Sequence, residues 1–225
     1  MSDPHDESLK SLEPIRLFPS DRLEFFTHIH PAVVPAIWLP VAGVFLARGI
    51  LLTRSVGHAW AAIPAFLGGV ILWSFAEYFL HRFIFHFTPR TPIQKRIAFL
   101  MHGVHHAQPR VKTRLVMPPL VSVPLACFFY ALFTLVVSML LRAPDLTGAL
   151  FAGFVTGYVC YDLLHYSLHH VQFKNGLMKA LRSHHMRHHT EYDSRFGVST
   201  PLWDHVFQTE PRKDAPPKAP TSPHG

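Results

Sequence analysis

Eighteen histidines occur among the 225 residues, and twelve of them fall in two windows, five between His81 and His106 and seven between His165 and His189. Neutral imidazole is the commonest metal-binding side chain, and no ordinary packing need gathers so many of them in one chain. Ten of the twelve form four groups. His81 and His86 read as H-x4-H, His102, His105 and His106 as H-x2-H-H, His165 and His169 as H-x3-H, and His185, His188 and His189 as a second H-x2-H-H. Taken singly, such a histidine is more often a satisfied polar or packing residue than a ligand. Taken together, the ten suit two metal ions better than one, because a mononuclear site rarely uses more than three or four protein ligands.

The spacings carry geometry. On a helix of 3.6 residues per turn, the three histidines of each H-x2-H-H run point within an arc of roughly 100°, and an i, i+4 pair stacks one turn apart on a single face. His81 and His86 would diverge by roughly 140° on a regular helix, so that helix is expected to distort or end between them. Thr88-Pro89 soon afterwards favours an ending. His170 and His184 lie beside the groups and are expected to touch ligands or substrate, whereas His5, His28, His30, His58, His205 and His224 have no matching partners and are read as non-ligands. Glu77, one turn before His81, and Asp162, three residues before His165, are candidates to accept the second ring N–H of a ligand, with an arginine such as Arg82 as the competing partner. Tyr161 adds a further hydrogen-bonding group beside Asp162.

Other chemistries lack their residues. No H-E-x-x-H provides the glutamate base of a zinc protease, and neither G-x-S-x-G nor a phosphate-cradling glycine loop with its lysine occurs. Imidazole-bound, redox-capable metals remain. Oxygen activation follows from them, since an unactivated C–H bond offers no acid or base route and requires a metal-based oxidant.

The elements that must carry these groups are apolar. With 49% hydrophobic and 16% charged residues, the chain fits a membrane class. Four stretches are long enough to span a bilayer: Ala32 to Leu52, Ala59 to Leu80, Val116 to Leu141 and Leu146 to Leu164. The first two and the last two are joined by short links and are expected to pair as two helical hairpins. Arg82, Arg90, Lys95, Arg96, Arg110, Lys112 and Arg114 lie between the second and third spans, while Arg142 stands alone between the third and fourth. Positive-inside logic places the middle segment, both termini and the metal site in the cytoplasm, with Arg48 and Arg54 blurring the count. The net charge of +7 comes from basic residues flanking apolar runs and not from one basic face, so nucleic acid is not an expected partner.

Residues 17 to 30 read as a short helix lying in the membrane interface or as an ordinary capped surface helix. The organisation expected is a cytosolic segment over 1–31, a four-span domain with its histidine cap over 32–210, and a disordered proline-rich tail over 211–225. Cys127 and Cys160 sit in apolar runs without paired spacing and are expected to be buried, inert thiols. The first thirty residues hold no apolar core for a signal peptide, so insertion is expected to rely on the spans.

The four histidine spacings occur together with Tyr161-Asp162-Leu163-Leu164-His165-Tyr166-Ser167-Leu168-His169, His184-His185-Met186-Arg187-His188-His189 and Phe196-Gly197-Val198-Ser199-Thr200-Pro201-Leu202-Trp203-Asp204. In these motifs the chain resembles the fatty acid hydroxylase superfamily, and within it the sphingolipid fatty acid 2-hydroxylases, over roughly residues 22 to 209. The resemblance implies an all-α membrane protein, four transmembrane helices carrying a cytosolic helical cap. It implies a dimetal centre held by His81, His86, His102, His105, His106, His165, His169, His185, His188 and His189, with Tyr161 and Asp162 as a supporting pair beside the metals. Iron is the implied metal, with zinc an alternative in purified material, and O2 plus two electrons yields a hydroxyl group at carbon 2 of a fatty acid or ceramide-type lipid. The implied membrane is the endoplasmic reticulum in a eukaryote or the inner membrane in a bacterium. Only about twenty residues precede the resembling region, so electrons are expected from a separate carrier, cytochrome b5-like or ferredoxin-like. Carotenoid hydroxylases share nearly the same spacings and sterol enzymes differ by small changes, which keeps those substrates open. A metal transporter is a more distant alternative, because transporters bind ions near the bilayer midplane and these groups lie beyond the span ends.

Overall fold

Every regular element among the described residues is helical, and four are long and apolar enough to cross a membrane: Val33–Ser55, Ala59–Phe85, Lys112–Leu140 and Pro144–His170. The computed structural model describes residues 13–174 and 176–211. His5, His224 and all but the first residue of the tail expected to be disordered lie outside the described residues.

A single helical turn, α1 (Asp21–Phe25), precedes the first span, α2 (Val33–Ser55). The second span is α3 (Ala62–Phe79), which runs on into a π-helical turn at Leu80–Phe85. The cap begins with α4 (Pro92–Ala98), a second π-helical turn at Phe99–Gly103 and α5 (Val104–Ala107). Thr91 starts α4 with a capping box closed by Gln94, and Pro92 occupies the first helical position, where a missing N–H costs nothing. The third span is α6 (Pro119–Phe133), continued by a π-helical stretch at Thr134–Leu140, and the fourth is α7 (Pro144–His170). Two helices, α8 (Gly176–Thr190) and α9 (Leu202–Val206), complete the cap.

The spans do not pair as two hairpins. The fourth packs along both the first and the second, which barely touch each other. Small residues decide this. A Cβ built on Gly69 would fall 2.0 Å from the Leu150 carbonyl oxygen, and one on Gly153 would fall 1.9 Å from that of Phe66. Gly49 meets Ala149 nearly as closely, with 2.5 Å from a built Cβ to the backbone nitrogen. Backbones this close bring van der Waals contact where lipid offers no hydrophobic drive for helices to associate. The fourth span is consequently the hub, 72% buried along its apolar window against 11% for the third. Large apolar side chains such as Leu51, Ile63, Leu120 and Met139 cover the outer surface instead. Cys127 and Cys160 are exposed and not buried as expected, on helices whose outer faces lipid would cover.

Residues 13–30 form a strap across the cap more than a helix. Ile29 N–H donates to the Thr113 carbonyl at 2.8 Å, and Ile15 N–H to Gln108 Oε1 at 2.9 Å. Only α1 is helical, without a side-chain cap, and Leu23, Phe25 and Phe26 beside it are exposed. Arg114, counted among the charges that place the middle segment in the cytoplasm, is buried beneath this strap.

Candidate metal centre

The chain bends His81 and His86 onto one face by widening the helix. His86 N–H donates to the His81 carbonyl at 3.1 Å, an i to i+5 bond that closes the π-helical turn. The distortion expected from H-x4-H is thus a π-helical turn, with the chain leaving the helix at His86.

All ten histidines of the four groups converge. His81, His86, His102, His106 and His188 bring one ring nitrogen each within 4.8 Å of one another, and so do His105, His165, His169, His185 and His189. The two groups adjoin, with the rings of His106 and His189 centred 4.3 Å apart. Each H-x2-H-H run is divided between them. His102 and His106 enter the first group while His105 crosses to the second; His185 and His189 enter the second while His188 crosses to the first.

The nitrogens are close enough within each group to hold a metal ion. In the second group Nε2 of His169 lies 2.8 Å from that of His185, and Nε2 of His105 lies 3.1 Å from those of His165 and His189. In the first, Nε2 of His81 and His102 stand 3.0 Å apart, and Nε2 of His106 and of His188 are buried with no hydrogen-bond partner. Converging lone pairs without donors are costly in a dry interior, and a divalent cation in each group offsets that cost. The donor set, all imidazole, suits iron or zinc. Burial first and neighbouring imidazoles second drive His102, His105, His106, His185 and His188 well below 6.5, and His189 to about 3, so the rings are neutral as ligation requires.

Backbone carbonyls of one loop fix two tautomers. His81 Nδ1–H donates to Phe196 O at 2.5 Å and His188 Nδ1–H to Ser194 O at 2.7 Å, which leaves each Nε2 lone pair facing the group. Two buried carboxylates hold that loop. Asp204 accepts from Phe196 N and Gly197 N, each at 2.8 Å, and from Thr209 Oγ1 at 2.6 Å, while Glu77 accepts from Val198 N at 2.7 Å and Ser199 N at 2.8 Å. Burial alone would raise the Asp204 carboxyl, but hydrogen bonds from His184 and Thr209 hold it below its usual range. Gly197 is required here because a Cβ would sit 2.2 Å from the Thr200 carbonyl oxygen.

Three expectations change accordingly. Glu77 serves the loop backbone, not a histidine ring. Asp162 accepts from Met117 N–H at 3.0 Å and Tyr158 O–H at 3.3 Å, holding the chain where the third span begins, again with no bond to a ligand ring. His184 bridges Asp204 and Glu210 instead of touching a ring of the groups, whereas His170 lies between Tyr166 and, as expected, the ring of His169, 6.5 Å away. Tyr161 stacks on His165, with centroids 5.9 Å apart at 18°. Sequence reasoning missed Tyr192, whose ring covers His86 at 4.1 Å and His106 at 4.8 Å, and it did not separate Asp204 from its motif. An acidic residue inside the apolar Pro201-Leu202-Trp203-Asp204 run was a usable signal for the latter; Tyr192 in a polar loop gave none.

A cavity of about 270 Å³ reaches the centre from the spans. His102, His105 and His165 form its metal-side wall, Tyr161 and Asp162 lie beside them, and Phe85, Leu115, Leu120 and Val121 are among the apolar residues that line the rest.

Four spans under a helical cap, with clustered imidazoles meeting an apolar cavity, define a membrane protein of the histidine-rich metal-centre class. The sequence profile described as fatty acid hydroxylase matches residues 66–209, and the chain belongs to that family. It is 36% identical over 213 residues to a dihydroceramide fatty acyl 2-hydroxylase of Arabidopsis thaliana, covering 94% of this chain and 86% of the relative. Against the ceramide very long chain fatty acid hydroxylase of Saccharomyces cerevisiae it is 40% identical over 188 residues, 82% of this chain but only 46% of the relative. A solved structure described as full-length scs7p with only the hydroxylase domain visible superposes with a TM-score of 0.77 at 38% identity, covering 88% of this chain and 72% of that one.

Proposed function

We propose that the chain is a membrane monooxygenase that hydroxylates carbon 2 of a fatty acyl chain in a fatty acid or ceramide-type lipid. The observation that carries this reading is the convergence of ten buried or half-buried histidines in two adjoining groups of five, three of which, His102, His105 and His165, line one apolar cavity. The relatives named as fatty acyl 2-hydroxylases support the substrate class.

In this reading His81, His86, His102, His106 and His188 hold one iron ion and His105, His165, His169, His185 and His189 the other. Two bound iron ions supply the oxidising power by which O2, two electrons and two protons convert a C–H bond into C–OH and water. The chain's own residues do the rest. The cavity takes the acyl chain by burying its methylenes, at about 0.8 kcal/mol each, and excludes water from the reacting carbon. Tyr161 packs behind His165, and Asp162 fixes the wall at Met117, so that the chain meets the centre at one depth. The electrons come from a separate carrier of the cytochrome b5 or ferredoxin kind. The cap, the centre and the termini face the cytoplasm, with the spans in the endoplasmic reticulum of a eukaryote or the inner membrane of a bacterium.

Anaerobic purification with iron quantification, followed by lipid mass spectrometry after addition of O2 and a reductant, tests the reading. The expected result is about two irons per chain and one oxygen gained at carbon 2 of acyl chains. Iron-loaded protein that leaves acyl chains untouched, or oxidises only pigments or sterols, overturns it.

A further inference from the structure

Arg114 lines the cavity, and its side chain is only 3% exposed. Among the described residues it is the sole lysine or arginine on that wall. One terminal nitrogen donates to the Ile15 carbonyl, and the other to Glu24 and to His28 Nε2, the last at 3.0 Å. His28 passes the chain on through Nδ1 to Thr113 Oγ1 at 2.8 Å. The Nε–H is buried and has no partner. An unpaired donor in so apolar a place costs about 1–3 kcal/mol, and a ligand acceptor removes that cost.

The charge around Arg114 says which acceptor fits. Glu24 neutralises the guanidinium, and its other oxygen accepts Leu17 N–H at 2.9 Å and Phe18 N–H at 2.8 Å. Asp162 places a carboxylate on the cavity wall itself. A free carboxylate entering here would meet the Asp162 carboxyl on the wall and a cation already paired with Glu24. A neutral carbonyl oxygen meets an N–H donor and no opposing charge.

Taking the cavity as the acyl site, as proposed above, we infer that Arg114 positions the substrate by donating its Nε–H to the carbonyl oxygen of an amide- or ester-linked acyl chain. Glu24 tunes that donor for an uncharged head. The carbonyl carbon is carbon 1, so anchoring its oxygen fixes carbon 2 one bond away, in a cavity that His102, His105 and His165 also line. Arg114 is thus a positioning and specificity-determining residue, and the strap from Leu17 to Thr27 is part of the wall it organises.

Two variants separate this role from a structural one. Arg114→Lys keeps a cation for Glu24 but has no second donor at the Nε position; Glu24→Gln keeps acceptors for Leu17 and Phe18 but removes the neutralising charge. Metal-free protein in detergent, checked for monodispersity, is titrated with radiolabelled N-hexadecanoyl sphinganine and with hexadecanoic acid. Arg114→Lys is expected to weaken the amide by about tenfold, and Glu24→Gln to shift preference toward the free acid by a similar factor. In iron-loaded Arg114→Lys, product is expected to spread from carbon 2 to carbon 3. Wild-type affinity and unchanged product position in Arg114→Lys, or an unchanged preference in Glu24→Gln, overturns the inference. Wild-type protein that binds the amide, and loses it in Arg114→Lys, yet never forms product overturns the proposed reaction and leaves Arg114's role standing.

Discussion

His105 and His188, the middle histidines of the two H-x2-H-H runs, exchange places: each joins the group opposite to the one that takes its flanking histidines. An i, i+4 pair stacks on one helical face while the residue at i+3 is rotated away by roughly 60° from the first, enough to reach a neighbouring site. Both short runs therefore contribute to both groups.

Replacing a crossing histidine is expected to disable one group and spare folding. His105→Ala removes a ligand from the second group and His188→Ala one from the first. In each case iron is expected to fall from about two per chain toward one, with product lost and the protein still monodisperse in detergent. Iron quantification beside lipid mass spectrometry checks this; full iron and wild-type turnover in either variant would remove that residue from the ligand set.

Asp204→Asn tests the loop that orients His81 and His188. Its carboxylate takes the Phe196 and Gly197 N–H groups, and Phe196 in turn accepts from His81. The expected outcome is a roughly 10- to 100-fold loss of metal affinity at the first group, read by chelator competition, with the second group retained. An equal loss at both groups would show that the loop does not act through His81.

Acid is expected to destabilise the metal-free protein. The buried rings outside the spans are held below 6.5, His189 to about 3, whereas the unfolded chain protonates its histidines from about pH 6.5 downward. The unfolded state then binds more protons, so stability falls as pH drops from about 6.5 toward about 3 and is flat above about 6.5, where both states are neutral. Thermal midpoints of chelator-stripped protein across that range measure the effect. A midpoint that holds steady down to about pH 4 would mean that the rings are not enclosed.

Gly153→Ala should weaken the bundle by about 1–3 kcal/mol, since the new Cβ has backbone in its place and not a movable side chain. Gly43→Ala, in the first span with nothing within 4 Å of a built Cβ, serves as the control and is expected to be neutral or slightly stabilising. Thermal denaturation in detergent compares them; equal midpoints would contradict the close contact with Phe66.

Spacing made the convergence of the ten histidines legible, because three- and four-residue intervals on a helix have one meaning wherever the helix is packed. The split into two groups was not legible, since the same arc of roughly 100° serves one site or two until the facing helix is known. Span lengths could be read, but not span partners: a run of apolar residues says that a helix crosses lipid, while Gly69 and Gly153 decide what it crosses beside. Arg114 entered the count of cytoplasmic charges because nothing local reveals Glu24 ninety residues away as its partner. The carbonyls of Ser194 and Phe196 carry no side-chain signature, so their hold on His188 and His81 had to come from coordinates.

The fourth span is enclosed by its neighbours and is the least apolar of the four, yet it carries His165 and His169. Lipid alone gives such a segment little reason to stay in the bilayer. Its residence depends on the first and second spans already waiting, with Gly49 and Gly69 open to receive it. Biogenesis thereby acquires a sequence of events, in which His165 and His169 join their group only after the fourth span has found its seat.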